Sequence, residues 1–273
     1  MIVMATAAGS LDVRRRLPVS AVVIAKNEAD RIGRCLDSLV PLCDEVLVLD
    51  SGSSDATVAI ARAAGARVEH QDWLGFDAQK NAAIALARNQ WVLLLDADEW
   101  LGDGAAVLLT GLFASARVEQ ADVWRLERRT HYLGKPLRFG GWGREAVERL
   151  FRNSLRYQPA RVHERLDLDG RRIAACRARI EHDTARNAAE YRHKLERYAC
   201  LFAEQRHARG QRASALTPMT HALFYLLKNG VLRGGFLDGP QGWRYHFAHT
   251  RYVWQKYRML RSLTRDGDAG GRT

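Results

Sequence analysis

The run Trp91-Val92-Leu93-Leu94-Leu95, closing abruptly on Asp96-Ala97-Asp98-Glu99, limits what this chain can become more than any other stretch. Five apolar residues bounded by polar ones are too short for a helix and read as a strand buried on both faces. Side chains alternate along a strand, so residues i and i+2 point the same way. Asp96 and Asp98 are therefore expected to aim at one spot beyond the strand's carboxyl end. Two carboxylates there repel unless a cation or polar ligand sits between them. A divalent metal holding a diphosphate fits, because Mg²⁺ is usually bound by one or two carboxylates plus phosphate oxygens. A solvated acidic turn is the alternative for the bare tripeptide.

The segments before this run set its context. Residues 18–24 read as a buried strand, and 44–50 as a second. The stretch near 29–39 predicts a helix with Ile32, Cys35, Leu36 and Leu39 on one face, capped by Asn27 or Asp30. A helix is expected from Asp55 to Gly65, a short strand at 67–69, and a helix over 77–88. Alternating strands and helices predict a parallel α/β sheet. Beyond residue 122 the rhythm changes: strands are expected at 123–127, 147–152 and 172–180, and helices at 188–209, 218–231 and 243–264. The division expected is a tail at 1–17, an α/β domain over 18–184, a helical region over 185–265 and a tail at 266–273, both tails disordered.

Charge is unevenly spread over the 273 residues, whose formal net charge is +11. Residues 1–120 carry 11 Lys and Arg against 16 Asp and Glu, whereas 121–273 carry 31 against 15. The basic part suits an anionic partner: nucleic acid, acidic lipid headgroups or a phosphorylated substrate; an Arg-rich composition with no such role is the plain alternative. No apolar stretch approaches the roughly 20 residues that span a bilayer. In Met1–Arg16 the apolar residues precede Arg14-Arg15-Arg16, the reverse of a secretory signal, and a cytoplasmic protein is expected. The four cysteines have no C-x-x-C spacing and read as buried free thiols.

In open α/β sheets ligands bind outside the carboxyl ends of the strands. Three such ends are polar here: Lys26-Asn27-Glu28, Asp50-Ser51-Gly52-Ser53-Ser54-Asp55 and Asp96-Ala97-Asp98-Glu99. Asp50 can accept hydrogen bonds from a base or ribose, and Asp55 reads as a helix cap. The chain has neither G-x-G-x-x-G nor G-x-x-x-x-G-K-[ST], which disfavours a dinucleotide enzyme or a P-loop phosphotransferase.

Together these pieces resemble glycosyltransferase family 2. The matching segments are Val-Ser-Ala-Val-Val-Ile-Ala-Lys-Asn-Glu at 19–28, Val-Leu-Asp-Ser-Gly-Ser-Ser-Asp-Ala-Thr at 48–57, Gln-Lys-Asn at 79–81 and Leu-Asp-Ala-Asp-Glu at 95–99. Further segments are similar to the branch of lipopolysaccharide-core β-glucosyltransferases: Tyr-Leu-Gly at 132–134, Gly-Gly-Trp at 140–142, Arg-Leu-Phe-Arg at 149–152, Val-His-Glu at 162–164 and Gly-Gly-Phe-Leu-Asp-Gly at 234–239. The chain departs from that branch at Gly143-Arg144-Glu145, where a Tyr-Pro-Asp usually follows the tryptophan. The resemblance implies a GT-A fold, a Rossmann-like and mostly parallel sheet with flanking helices, followed by a helical C-terminal region. It implies an inverting transferase moving a hexose, glucose for preference, from a UDP-sugar, with Mg²⁺ or Mn²⁺ as cofactor.

By the same resemblance, Asp50 would contact the uracil beside the Ala25, Asn27 and Glu28 loop. Asp96 would hold the ribose, Asp98 the metal, and Lys80 would lie near the phosphates or sugar; Ser51 and Ala97 complete the donor-binding set. Glu164 is the candidate base for the acceptor hydroxyl and Glu145 the second choice, with a plain salt bridge to Arg161 or Arg165 as the alternative for Glu164. His182 is a candidate third metal ligand, since imidazole suits Mn²⁺ better than Mg²⁺. Trp142 and His163 are candidates for the acceptor side, or simply pack. Trp243, Tyr245, Phe247, Tyr252, Trp254 and Tyr257, interleaved with Arg244, Arg251, Lys256, Arg258 and Arg261, read either as an interfacial helix on anionic lipid or as an aromatic face packed on the protein. The acceptor implied is the lipopolysaccharide inner core or a related anionic glycolipid, reached peripherally at the inner face of a bacterial inner membrane. A polyprenyl phosphate, exopolysaccharide or protein acceptor on the same fold stays open. So does a non-catalytic basic module, although no nucleic acid is expected, and an Asp-x-Asp phosphatase is disfavoured because its motif usually opens the chain.

Overall fold

The computed structural model describes residues 16–159 and 165–270, with side chains as far as 265. Four strands, β1 (Leu17–Ala25), β2 (Cys43–Asp50), β3 (Arg67–His70) and β4 (Trp91–Asp96), are parallel neighbours in the order β3-β2-β1-β4. The helices α1 (Ile32–Leu39), α2 (Thr57–Ala63) and α3 (Phe76–Ala85) connect them. Every expected strand and helix of this half is present, with ends shifted by a few residues. The alternation is what lets two layers form. Val19, Ala21 and Val23 of β1 face one cluster with Ile32, Leu36 and Leu39 of α1, while Val22 and Ile24 face the other with Ala83 and Ile84 of α3. Both faces are covered, so the strands read as unbroken apolar runs.

After β4 the chain makes a short β5 (Glu99–Leu101), α4 (Ala105–Ala114), β6 (Val123–Tyr132), β7 (Lys135–Pro136), β8 (Glu145–Arg152), the small β9 (Tyr157–Gln158) and β10 (Arg165–Leu166) pair, and β11 (Ile173–Asp183). The main sheet continues β4-β8-β6-β11-β5, with β7 paired to β6. β8 runs antiparallel to β4, with Leu93 opposite Leu150 and Trp91 opposite Arg152. Three helices follow: α5 (Ala188–Ala208), α6 (Thr217–Tyr225), which passes into a π-helical segment (Leu226–Leu232), and α7 (Gly239–Gly270) after a 3₁₀ turn at Gly235–Asp238.

The described chain divides into two compact units. The first holds residues up to 127 with 146–159 and 165–180; the second holds 128–145 and 181–270. The boundaries fall inside β6, β8 and β11, so 128–145 groups with the helices rather than with the α/β part, as a division at 184 would have it. Of the two expected tails, residues 1–15 and 271–273 lie outside the described residues; Leu17 already belongs to β1, and α7 runs on to Gly270. Among the described residues no helix is long and apolar enough to cross a membrane. The cysteines are free: Cys35 and Cys43 are buried, Cys176 half-buried and Cys200 exposed.

The second unit's core is aromatic. Tyr132, Tyr191 and Tyr245 pack with ring centroids 5.1–5.9 Å apart, and the Tyr191 hydroxyl meets His249 Nε2 at 2.6 Å. Close approach needs glycine: a Cβ on Gly235 would lie 2.1 Å from His246 Nε2. The C-terminal aromatics are divided by this packing. Tyr245 is fully buried, Tyr252, Trp254 and Tyr257 are half-buried, and Trp243 and Phe247 are the exposed large rings.

Candidate functional site

All three polar strand ends lie in the first unit, at the carboxyl edge of its parallel sheet. Asp50 closes β2, and its buried carboxylate organises the next turn. The backbone N–H groups of Gly52 and Ser53 each donate to Oδ2 at 2.9 Å, and the Ser53 hydroxyl donates to Oδ1 at 2.5 Å. A carboxylate offers about four lone-pair sites, so Oδ1 keeps capacity for another donor. The loop after β1 is fastened to this turn. Asn27, held at φ +55°, accepts from Ser54 N–H at 2.8 Å and donates its own N–H to Ser53 Oγ at 2.9 Å. Neither Asn27 nor Asp30 caps α1, whose first N–H instead meets the Glu28 carbonyl. Asp55 does cap, accepting Thr57 N–H at 2.9 Å and Ala29 N–H at 3.1 Å.

The third end differs from a simple strand. β4 stops at Asp96, and Ala97-Asp98 form a turn closed by Asp96 N–H donating to Glu99 Oε2 at 3.1 Å. Strand alternation therefore does not govern Asp98, and the two carboxylates meet different cations. Asp96 lies 3.7 Å from Lys80 Nζ and 2.7 Å from Arg149 Nη2; Asp98 lies 3.8 Å from Arg31, whose guanidinium is clamped on Glu28 at 2.6 Å. The expected repulsion is relieved by fixed protein cations.

Arg149 is the residue that sequence reasoning missed. It is buried, and the same Nη2 also meets the fully buried Glu99 at 2.7 Å. Burial works against its charge, but Glu99 and Asp96 outweigh burial and hold the guanidinium above its ordinary range. The antiparallel register carries β8 toward the carboxyl end of β4, which brings Arg149 to Asp96. An arginine next to the apolar pair Leu150-Phe151 was the available signal, since a buried cation needs a carboxylate partner.

The Gln79-Lys80-Asn81 motif braces this edge from α3. Buried Gln79 donates to Ser51 Oγ at 3.0 Å and to the Gln71 carbonyl at 3.1 Å. Lys80 has only 6 % of its side chain exposed and lies over the Tyr157 ring, 5.3 Å from its centroid. Asn81 clasps the Tyr157 backbone with bonds of 2.8 and 2.9 Å. Ala25 and Ala97 are buried at the strand ends. Burial, reinforced by Glu99, Asp98 and Asp96, pushes the Cys35 thiol upward, so it stays protonated against the Asp96 carbonyl, 3.8 Å away.

The remaining candidates are not among the described residues of the first unit. His163 and Glu164 fall outside the described residues. Glu145 is in the second unit and is gripped by Arg128 at 2.6 Å. Trp142, also there, packs edge-on to Tyr245 at 5.5 Å and tilted on His249 at 5.0 Å. His182 is on β11 in the same unit. Among the described residues no group of three or more His, Cys, Asp or Glu side chains is arranged as a metal cage. Asp98, 16 % exposed, fits a different donor set: one carboxylate completed by phosphate oxygens and water, the habit of Mg²⁺.

A parallel α/β sheet continued by antiparallel strands, with its polar loops at the strand ends where ligands bind in such sheets, is a GT-A-like architecture. Residues 20–181 match the family described as Glycosyl transferase family 2; the chain belongs to that family and is a glycosyltransferase. It is 29 % identical over 262 residues to the lipopolysaccharide core biosynthesis glycosyltransferase LpsC of Rhizobium meliloti, a match covering 89 % of this chain and 94 % of that protein. It is 46 % identical over 97 residues to an uncharacterized glycosyltransferase of Rickettsia felis, covering 36 % of this chain and only about a third (34 %) of that protein. A partial likeness links it to glucosyl-3-phosphoglycerate synthase of Mycobacterium tuberculosis, a structure in complex with Mn²⁺ and UDP-glucose, at 28 % identity and TM-score 0.35 over 41 % of this chain and 43 % of that one.

Proposed function

We propose that this chain transfers a hexose, glucose for preference, from a UDP-sugar to a lipopolysaccharide-core or related anionic glycolipid acceptor, with inversion at the anomeric carbon. The support for the acceptor is the near full-length match to LpsC. The observation that carries the donor site is the pinned carboxylate edge: Asp96 fixed between Lys80 and Arg149, with Asp98 beyond it on the turn.

In this reading Asp50 accepts from the uracil and Asp96 from a ribose hydroxyl. Each is already held in place, so little ordering remains to oppose binding. Lys80, buried beneath Asp96, acts as a positioning residue. Asp98 would hold a Mg²⁺ or Mn²⁺ ion, which when bound supplies positive charge against the departing diphosphate. The acceptor hydroxyl attacks the anomeric carbon as its proton passes to a carboxylate, for which Glu164 is the candidate; the bond from that carbon to the diphosphate oxygen breaks and UDP leaves. Asp98→Asn should lower transfer from UDP-glucose to a truncated lipopolysaccharide acceptor by about 10²–10³-fold, as loss of one preorganised charge-stabilising group does, with an unchanged thermal unfolding curve. Transfer at the wild-type rate in that variant would sink the reading, and the same assay on Glu164→Gln tests the base.

A further inference from the structure

The sequence left the aromatics of 243–257 open between a lipid-facing belt and a packed face; Tyr245 is buried, Tyr252, Trp254 and Tyr257 are half-buried, and Trp243 and Phe247 are exposed. The exposed apolar surface of the second unit lies mainly earlier in the chain. Met219, Leu223, Leu227 and Val231 recur every four residues along α6 and the π-helical segment, each more than two-fifths exposed, and Leu223 reaches 63 %. An α-helix turns about 100° per residue, so a four-residue spacing drifts slowly forward. The wider π turn drifts it back, and the four side chains share one stripe. Pro218, Ala222 and Gly230 are buried, and α6 packs on α7.

Neighbouring elements extend the stripe. A Cβ on Gly230 would touch the Trp243 ring at 4.0 Å, and Trp243 stacks on exposed Phe247 at 5.4 Å. On the other side, Leu237 and Phe139 both come within 3.7 Å of where a Gly234 Cβ would sit. Leu232 is 75 % exposed, and Phe236 is exposed as well. Scattered apolar residues need no explanation, but four exposed ones in register along one helical run, with further exposed rings and leucines in the segments that follow it, mark an interaction surface.

Charge identifies what covers it. From residue 212 to 265 the sequence has nine Lys or Arg and one acid, Asp238. That carboxylate is turned onto the backbone, accepting the N–H groups of Arg138 at 3.0 Å and Phe139 at 3.1 Å. Lys228 folds over the Phe224 ring at 5.5 Å, and exposed Arg233 and Arg244 flank the stripe in sequence. A partner rich in carboxylates alone would leave the aliphatic stripe wet, and a purely apolar one would leave the cations unmatched. An acyl layer beneath anionic headgroups meets both, and no described helix is long and apolar enough to cross it. We propose that α6, the π-helical segment and the first turns of α7 form a monotopic docking surface for an anionic membrane, lying in the interface with Leu223, Leu227 and Phe224 immersed.

The test uses the full chain and sedimentation with phosphatidylcholine vesicles, with and without phosphatidylglycerol. Wild type should partition onto the phosphatidylglycerol vesicles about tenfold or more strongly than onto pure phosphatidylcholine, and a blue shift of Trp243 emission, read against Trp243→Phe, should accompany it. Leu223→Glu/Leu227→Glu should remove that binding while leaving the unfolding midpoint and the turnover of a soluble acceptor fragment unchanged. Val107→Glu/Leu108→Glu, which changes exposed residues of α4 in the first unit, should bind like wild type. Equal binding to both vesicle types overturns the proposal, as does binding that survives Leu223→Glu/Leu227→Glu or is lost equally in the α4 variant. A concentration-dependent dimer that this double substitution dissolves would assign the surface to a second copy, and overturns it as well.

Discussion

The two units spend their polar and apolar residues in opposite ways. In the first, aliphatic strands are buried on both faces, and at the carboxyl edge of the parallel sheet Asp50, Asp96 and Asp98 each have a named cation or N–H partner. In the second, tyrosines and histidines fill the core while large aliphatic and aromatic side chains of α6 and early α7 stay outside. The difference teaches that a site for a small charged ligand demands rigid, prepaired polar groups, whereas a surface for an extended apolar phase demands only an amphipathic helix held by a core behind it.

The comparison breaks most sharply at Arg149. Arg149→Met should destabilise the protein by about 3–5 kcal/mol, because the buried Glu99 and its neighbour Asp96 lose their shared cation. Urea unfolding measures this, and a loss below about 1 kcal/mol would mean the pairing is not what holds that edge.

Acid should find the second unit. Burial, with smaller contributions from His246 and Lys256, holds the His249 imidazole down to about 3, and burial lowers His246 as well. An imidazole whose folded value is depressed stays neutral in the fold while the unfolded chain takes up a proton below about pH 6.5. Stability should therefore fall as pH drops from about 6.5 toward 3, by about 1.4 kcal/mol per pH unit for His249, with a loss of the same sign from His246. Buried Glu181 adds a loss of the same sign further down: burial raises its pKa, but His131 and Arg129 outweigh burial and lower it, so its contribution disappears as pH falls through that depressed value. Guanidinium unfolding at pH 7, 6 and 5 should show the slope, and His249→Phe should flatten it; an unchanged slope in that variant would place the titration elsewhere.

The smallest effect expected is at the start of α5. Asn187 accepts the N–H groups of Ala189 and Glu190 at 3.0 and 2.9 Å, and Asn187→Ala should cost about 1 kcal/mol. Calorimetry would register it as a modest fall in melting temperature, and a much larger fall would show that the cap also braces the aromatic core.

Much of the first unit was legible before any coordinates. β1, β2 and β4 announce themselves as apolar runs, their polar ends as breaks in those runs, and Asp55 as a cap, because each signal is contained in a few adjacent residues. What was not legible depended on distance. Asp96 and Arg149 are 53 positions apart, and only the antiparallel return of β8 brings them together. Strand alternation did not reach Asp98, because β4 ends two residues earlier, at a turn that Glu99 closes. The C-terminal aromatics stayed open between two readings for a related reason: an amphipathic pattern tells which side chains share a face, not whether that face meets protein or solvent.

The amino-acid order by itself determined a parallel α/β half, the place of the polar loops and the basic character of the C-terminal part, since these follow from local periodicity, turn chemistry and charge. Tertiary structure decided which cation neutralises which carboxylate, that Lys80 lies buried under Asp96, and that α6 rather than the middle of α7 carries the exposed apolar stripe. Those outcomes rest on burial and on pairings between distant segments, and a side chain's solvent exposure is a property of everything packed around it.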